Sequence, residues 1–251
     1  MAELQQVEKE NLSARVYGRI RRALIDGQFE PGERLRISAL AAELGTSITP
    51  VREAIFRLVS EQALEMKAAT AIHVPLLDCG RLQEIQLIRV QLEGVAAERA
   101  ARLITDKQLR KLEAIQAEFI EAAATNPKKA SIKNRDFHFA LLEIAQLPRV
   151  ESIVENMWTL MGPLLSVFHS TMPPRQIAGK EHKHYDVLTA LRARDPAAAR
   201  EAIQADIEWG RVLVAWVDAQ PGAAIPAKDG AAKEGAAKDG AAKDGAAQRL
   251  G

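Results

Sequence analysis

Four residues of this chain form a donor set by type, although they are scattered in sequence. Asn134 and His138 lie four apart, so a helix stacks them on one face. His184 falls on a later helix and Asp206 on the last one. Two imidazoles, a carboxylate and an amide oxygen can hold one divalent transition metal between helices. Spacing alone leaves a second reading open, because a histidine flanked by Phe137 and Phe139 also suits a packed, hydrogen-bonded core position. His182, two residues before His184, is expected to point to another side of its helix and to be exposed. His169 reads as a packing or pocket residue. Arg89 lies four before Glu93, the spacing of a surface ion pair along a helix.

A second group lies in "GTSITPVREAI", residues 45–55. Arg52 sits in the first turn of a helical run, where the helix dipole disfavours a cation. It either meets an anion from outside or is a solvated surface arginine, and the surrounding elements decide between these. Ser13 is placed to cap a helix with Val16, Ile20 and Leu24 on its apolar face and Gly27 at its end. "EPGERL" (30–35) reads as a turn. Ser38 caps a short helix closed by Gly45. Thr49 then caps a helix with Pro50 at its first position and Val51, Ile55, Leu58 and Val59 on one face. Alternation through Leu64 and Met66, then Ile72, Val74 and Leu76, predicts a two-stranded hairpin.

Three helices followed by a hairpin describe a winged helix-turn-helix. In that geometry the N-terminal end of the third helix enters the major groove. Ser47, Thr49 and Arg52 then face phosphates and base edges, and Arg34, Arg36 and Arg57 are available to the DNA backbone. From Arg15 to Lys67 nine basic residues face seven acidic ones, a modest surplus that leaves a protein-interaction module open as the alternative.

From Asp78 to Ala219 the pattern is helical throughout. Asp78 and Thr105 cap the first two helices, and four more run over 128–146, 148–170, 175–194 and 196–218, bounded by prolines and by "TMPP" (171–174). Six helices with short connections predict an antiparallel bundle. The fold class is therefore mainly α, an N-terminal winged helix-turn-helix (12–76) followed by a helical bundle (78–219). Residues 1–11 read as a flexible N-terminus. The five-residue repeat "AAKDG" within 220–251 reads as a disordered tail, because a recurring glycine interrupts any helix and no large apolar residue offsets it.

Composition narrows the function classes. The chain has 251 residues, 47% of them hydrophobic, and a formal net charge of +1, so a core is affordable and no global polyanion signal appears. The lone Cys79 excludes an intramolecular disulfide framework and fits a reducing compartment. The polar N-terminus does not read as a signal peptide, and no apolar run reaches the about 18 residues of a membrane span. A cytoplasmic protein without a membrane partner is expected.

At this point the sequence resembles a known family. "VYGRIRRALIDGQFEPGERLRISALAAELGTSITPVREAIFRLVSEQAL" is similar to the DNA-binding domain of GntR-family bacterial repressors, over nearly all of 12–76. The resemblance implies that Ser47, Thr49 and Arg52 contact DNA, with Thr70 beside the wing tip. Where the family usually carries an arginine this chain has Ile48, and the family's wing glycine corresponds to Ala71. "IRVQLEGVAAERAA", "NRDFHFALLEIAQ" and "HYDVLTALRARDPAAAREAI" resemble the FCD ligand-binding domain, over most of 80–210. That domain commonly holds a metal, and the register places its ligands at Asn134, His138, His184 and Asp206. The family's acid is here an amide and its last histidine an aspartate, a set suited to zinc, nickel or manganese. The resemblance also turns Arg89 toward the cavity, where it would pair with the carboxylate of an effector.

The expected protein is a metabolite-responsive transcriptional regulator, a repressor by family habit. It binds a palindromic double-stranded DNA operator as a homodimer and a small organic acid in its helical domain. Two other classes compete with it. A metal-dependent hydrolase or oxygenase on the bundle lacks the paired Glu-x-x-His motifs and an evident general base. A DNA-architectural protein would use the bundle only to dimerise.

Overall fold

The structure is a computed structural model that describes residues 12–67, 71–171 and 182–219. The N-terminal segment, the repeat tail, Thr70 and residues 172–174 of the "TMPP" break lie outside the described residues.

The winged domain is built from α1 (Leu12–Ile25), β1 (Arg34–Leu35), α2 (Ile37–Glu43), α3 (Ile48–Ser60), β2 (Glu65–Lys67) and β3 (Ala71–His73). Val16, Ile20 and Leu24 of α1 meet Val51, Ile55 and Leu58 of α3 in one core, as the periodicity predicts. Gly27 and Gly45 both have φ of +62°, the left-handed geometry that ends a helix.

Four local expectations change, the first being that Ser13 lies inside α1, with its hydroxyl on Glu53, rather than capping it. The "EPGERL" turn delivers a strand, since Arg34 pairs with His73 and Leu35 with Ile72, so the expected hairpin becomes a three-stranded antiparallel sheet of order β1-β3-β2. That pairing keeps the chain extended to Arg36, which becomes the N-cap residue of α2 in place of Ser38. Helix α3 likewise starts earlier, at Ile48, with Ser47 as N-cap and Thr49 inside the first turn. Pro50 costs nothing at the third helical position, because the first four N–H groups of a helix have no partner within it.

The helical domain contains α4 (Cys79–Leu103), α5 (Asp106–Thr125), α6 (Pro127–Ala145), α7 (Pro148–Thr171), α8 (His184–Ala193), α9 (Pro196–Trp209) and α10 (Arg211–Asp218). Seven described helices replace the six expected, because the last one divides at Gly210. Helix starts follow the sequence closely. Asp78 accepts from the Arg81 amide, Thr105 forms a capping box with Gln108, and Asn126 and Asp195 cap helices whose first residue is proline. The core is rich in alanine, including Ala96, Ala97, Ala100 and Ala101 of α4, which lets α9 approach closely.

The two domains meet along α1 and α7. Arg21 pairs with Glu155 at 2.8 Å and donates to Thr159 Oγ1 at 3.3 Å. Asp26 pairs with buried Arg135 of α6, and Asn156 donates to the carbonyl of Glu61, the C-cap of α3, at 3.1 Å. Gly162 makes the approach sterically feasible, since a Cβ there would lie 2.2 Å from the Leu24 carbonyl oxygen. Gly162→Ala is therefore expected to loosen this seam. Overpacking costs about 1–3 kcal/mol, so hydrogen exchange of the last turn of α1 should accelerate at least about fivefold. Exchange equal to that of the parent protein would show that the seam does not hold α1 in solution.

Candidate metal and effector site and the DNA-facing helix

Each helix start described above fixes a functional side chain one or more turns downstream. Helix α4 carries Arg89 and Glu93, α5 carries Gln116, α6 carries Asn134 and His138, and α9 carries Asp206. His184 is the first residue of α8. The structure brings His138, His184 and Asp206 together, with one donor atom from each lying within 4.8 Å of the others. His138 Nε2 stands 3.2 Å and His184 Nε2 3.6 Å from Asp206 Oδ2. Asn134 lines the adjoining cavity one turn before His138.

The outer nitrogens of both rings are held. His138 Nδ1 donates to Glu93 Oε2 at 2.6 Å, and His184 Nδ1 donates to Gln116 Oε1 at 2.7 Å. These contacts direct both Nε2 atoms toward Asp206, an arrangement in which a carboxylate or amide orients a ligating imidazole. His184 Nε2 is fully buried and has no hydrogen-bond partner among the described residues. A buried orphan acceptor is costly, and a cation between the two rings and Asp206 would satisfy it. The residues present therefore fit a divalent metal.

Electrostatics support the same arrangement. Burial opposes charge on Glu93, yet Arg89 and His138 outweigh it and hold the carboxyl down at about 2. Burial would also neutralise Asp206, but His184 and His138 keep its carboxyl well below the usual range. Burial lowers His184, leaving the ring neutral and its Nε2 lone pair exposed to the site. In His138 burial is outweighed by Glu93 and Asp206, which raise its pKa. Its Nε2 faces Asp206 across 3.2 Å, and metal binding there would require the neutral ring.

Arg89 is not a surface residue. Its Nε meets Glu93 Oε1 at 2.6 Å in the interior, and its guanidinium lies 4.2 Å from the Trp158 ring centroid. Both line a cavity of about 160 Å³, together with Asn134, Phe168, Trp209 and Leu213. His182 also departs from expectation. It is 8% exposed and packs 4.6 Å from Phe119 and 4.4 Å from His184, because α8 begins only at His184 and the preceding bend turns residue 182 inward. Burial and the neighbouring His184 lower its pKa to about 4. His169 lines the same cavity.

Sequence reasoning missed three residues here. Glu93 was visible only as the i+4 neighbour of Arg89, and Gln116 and Trp158 carried no local signal. Trp158 touches the His138 ring at 5.4 Å between centroids and also lines a smaller cavity at the domain seam, beside Asp26 and Arg135.

On the winged domain, Ser47, Ile48, Thr49 and Arg52 are exposed together at the start of α3. The Ser47 hydroxyl makes no cap hydrogen bond, so it is available to a phosphate. Arg34, Arg36 and Arg52 are exposed and make no ion pair among the described residues. Arg57 is differently placed. It pairs with Glu61 at 3.0 Å and lies 3.8 Å from the Tyr17 ring, so it braces α3 against α1.

Comparison with known proteins decides what this pairing of a winged domain with a polar-centred bundle is. Residues 12–74 match the family of bacterial regulatory proteins called the gntR family, and residues 84–208 match the FCD domain. The HTH-type transcriptional regulator McbR of Escherichia coli (strain K12) is 32% identical over 194 residues, covering 77% of this chain and 88% of its own. The chain belongs to the GntR family. The Nta operon transcriptional regulator of Aminobacter aminovorans is 28% identical over 171 residues, covering 68% of this chain and 80% of its own. The solved structure of E. coli McbR/YncC superposes with a TM-score of 0.75 at 29% identity, over 84% of this chain and 99% of that one. A GntR regulator from Rhodococcus sp. RHA1, at 22% identity and a TM-score of 0.64 over 81% of this chain and 97% of that one, shares the fold.

This GntR-family chain is thus a DNA-binding transcriptional regulator with an FCD domain, and not an enzyme. No helix among its described residues is long and apolar enough to cross a membrane.

Glu93 is the residue whose loss tests the buried charge network. Glu93→Gln leaves Arg89 without its counter-charge in the interior, so stability should fall by about 3 kcal/mol, read as a lower urea midpoint. A loss within error would mean that water reaches Arg89 and that the pair is not structural.

Proposed function

We propose that the protein is a metabolite-responsive repressor that binds a palindromic operator as a homodimer and releases it when a small organic acid enters the FCD cavity. The supporting observation is the unpartnered His184 Nε2, buried opposite Asp206, with Asp206, His138 and Arg89 lining the adjoining, largely apolar cavity. His138, His184 and Asp206 would hold a divalent zinc, nickel or manganese ion, with the Asn134 amide in reach of the same cavity. When bound, the metal supplies a Lewis acid for an oxygen of the effector. Arg89 supplies the second anchor, because a guanidinium pairs with a carboxylate through two parallel hydrogen bonds. Phe168, Trp209 and Leu213 exclude water around the carbon skeleton. The two-fold dimer follows from the reach of one recognition helix, which reads only a few base pairs.

An effector shifts operator affinity only if it binds one domain arrangement better than the other. The seam offers the physical link. Trp158 and the groups that hold the winged domain (Glu155, Asn156, Thr159 and Gly162) all belong to α7. Movement of Trp158 around a ligand is carried by this helix to α1 and to the C-terminal end of α3.

Elemental mass spectrometry of the purified protein tests the first part. One metal per chain is expected, and His138→Ala combined with His184→Ala should remove it. Absence of metal from the parent protein after incubation with zinc, nickel or manganese would overturn the ligand set. For the second part, fluorescence anisotropy on a duplex selected from a random library should show release by at least one member of a panel of two- to eight-carbon carboxylates. Arg89→Met should raise the concentration of that acid needed for release at least about tenfold, matching the loss of one charge-assisted hydrogen-bonded pair. Equal release from the Arg89→Met variant would remove Arg89 from the effector site.

A further inference from the structure

Ile48 is the first residue of α3 and is 46% exposed. The winged core draws on the opposite face of the helix, through Val51, Ala54, Ile55 and Leu58. Ile48 and Arg52 are one turn apart, so they stand over one another on the outer face, flanked by Ser47 and Thr49. In a helix a β-branched side chain keeps essentially one χ1 rotamer. The aliphatic group of Ile48 is therefore presented outward in a fixed direction.

Single exposed apolar residues are ordinary on protein surfaces, so exposure alone assigns nothing. Placement does. The N-terminal turn of the recognition helix is where side chains meet base edges, and Ile48 occupies its first position. It can neither donate nor accept a hydrogen bond. Against guanine, adenine or cytosine it would cover polar base edges without satisfying them, which is costly. Among the four bases only thymine shows an apolar group in the major groove, its 5-methyl.

We propose that Ile48 is a specificity-determining residue that reads the 5-methyl group of one thymine in each half-site, next to the base or phosphate met by Arg52. The inference rests on the family placement of α3 in the major groove. An arginine, which the resembling family usually carries here, favours guanine through its O6 and N7 acceptors. With Ile48 in this place the expected base is thymine, where an arginine would select guanine.

The test uses the full-length protein and duplexes it selects from a randomised library. Each thymine of a selected duplex is replaced in turn by deoxyuridine, which removes only the 5-methyl group. One thymine in each half-site should then cost about fourfold in affinity, the value of one buried methyl group, while the remaining replacements leave affinity unchanged. Ile48→Ala should bind the parent and uracil duplexes equally. Ile48→Arg, selected afresh, should return guanine at the same position. Ile48 lies outside the core, so both variants should keep the circular dichroism and melting temperature of the parent. Uracil replacement without effect at every position, or an Ile48→Ala variant still sensitive at the same thymine, would overturn the proposal. Failure to select any duplex would instead overturn the placement of α3 in the groove, and this proposal with it.

Discussion

Charge buried without a partner is among the most costly features a fold can carry, and this bundle is organised around avoiding it. Arg89, Glu93, His138, Asp206 and His184 all lie in the interior. They form one sequence of contacts, from the Trp158 ring under Arg89 through Glu93 and His138 to Asp206, with His184 and Gln116 closing the far side. Helices α4, α5, α6, α7, α8 and α9 each contribute. Much of the surrounding core is alanine, whose smooth faces allow helices to slide past one another at little cost. The ionic groups do not allow this, because a shift of one turn would strand a charge in low dielectric. Alanine provides closeness in this domain, and the polar sequence provides register.

The same interior chain joins the cavity of the helical domain to the DNA-binding half. Trp158 is packed against Arg89 on one side and borders the seam cavity beside Asp26 and Arg135 on the other. One side chain thus belongs to both the site and the domain contact. Its indole nitrogen is buried and unpartnered among the described residues, as is Nε of Arg135. Both unsatisfied donors border the seam cavity, between the site and the domain contact. A packed element with two arrangements is the physical requirement for coupling between sites.

Much of this architecture could be read in the sequence, and the failures have local causes. Asp78, Thr105, Asn126 and Asp195 cap helices through their own side chains, so the information is contiguous and legible. Ser38 and Thr49 misled because strand β1 and the turn after Gly45 set where those helices begin, and strand pairing is a long-range fact. His182 was placed outside on the assumption of a continuous helix that the structure begins two residues later. The grouping of His138, His184 and Asp206 was legible by residue type and register. Its supports were not, because a glutamine on one helix facing a histidine on another leaves no pattern in either segment.

The distribution of aromatic residues gives the protein an internal optical division. Its three tryptophans, Trp158, Trp209 and Trp216, all lie in the helical domain, two of them at the cavity wall and the third against Phe168. The winged domain has no tryptophan, and its one tyrosine, Tyr17, donates to Glu61 at the end of α3 and lies beneath Arg57. Indole emission therefore originates wholly in the helical domain. The phenol on the reading side is a separate chromophore, placed where α1, α3 and the domain contact converge. Tyr185 of α8 adds a second phenol on the helical side, so indole emission is the signal that reports one half alone, without a label.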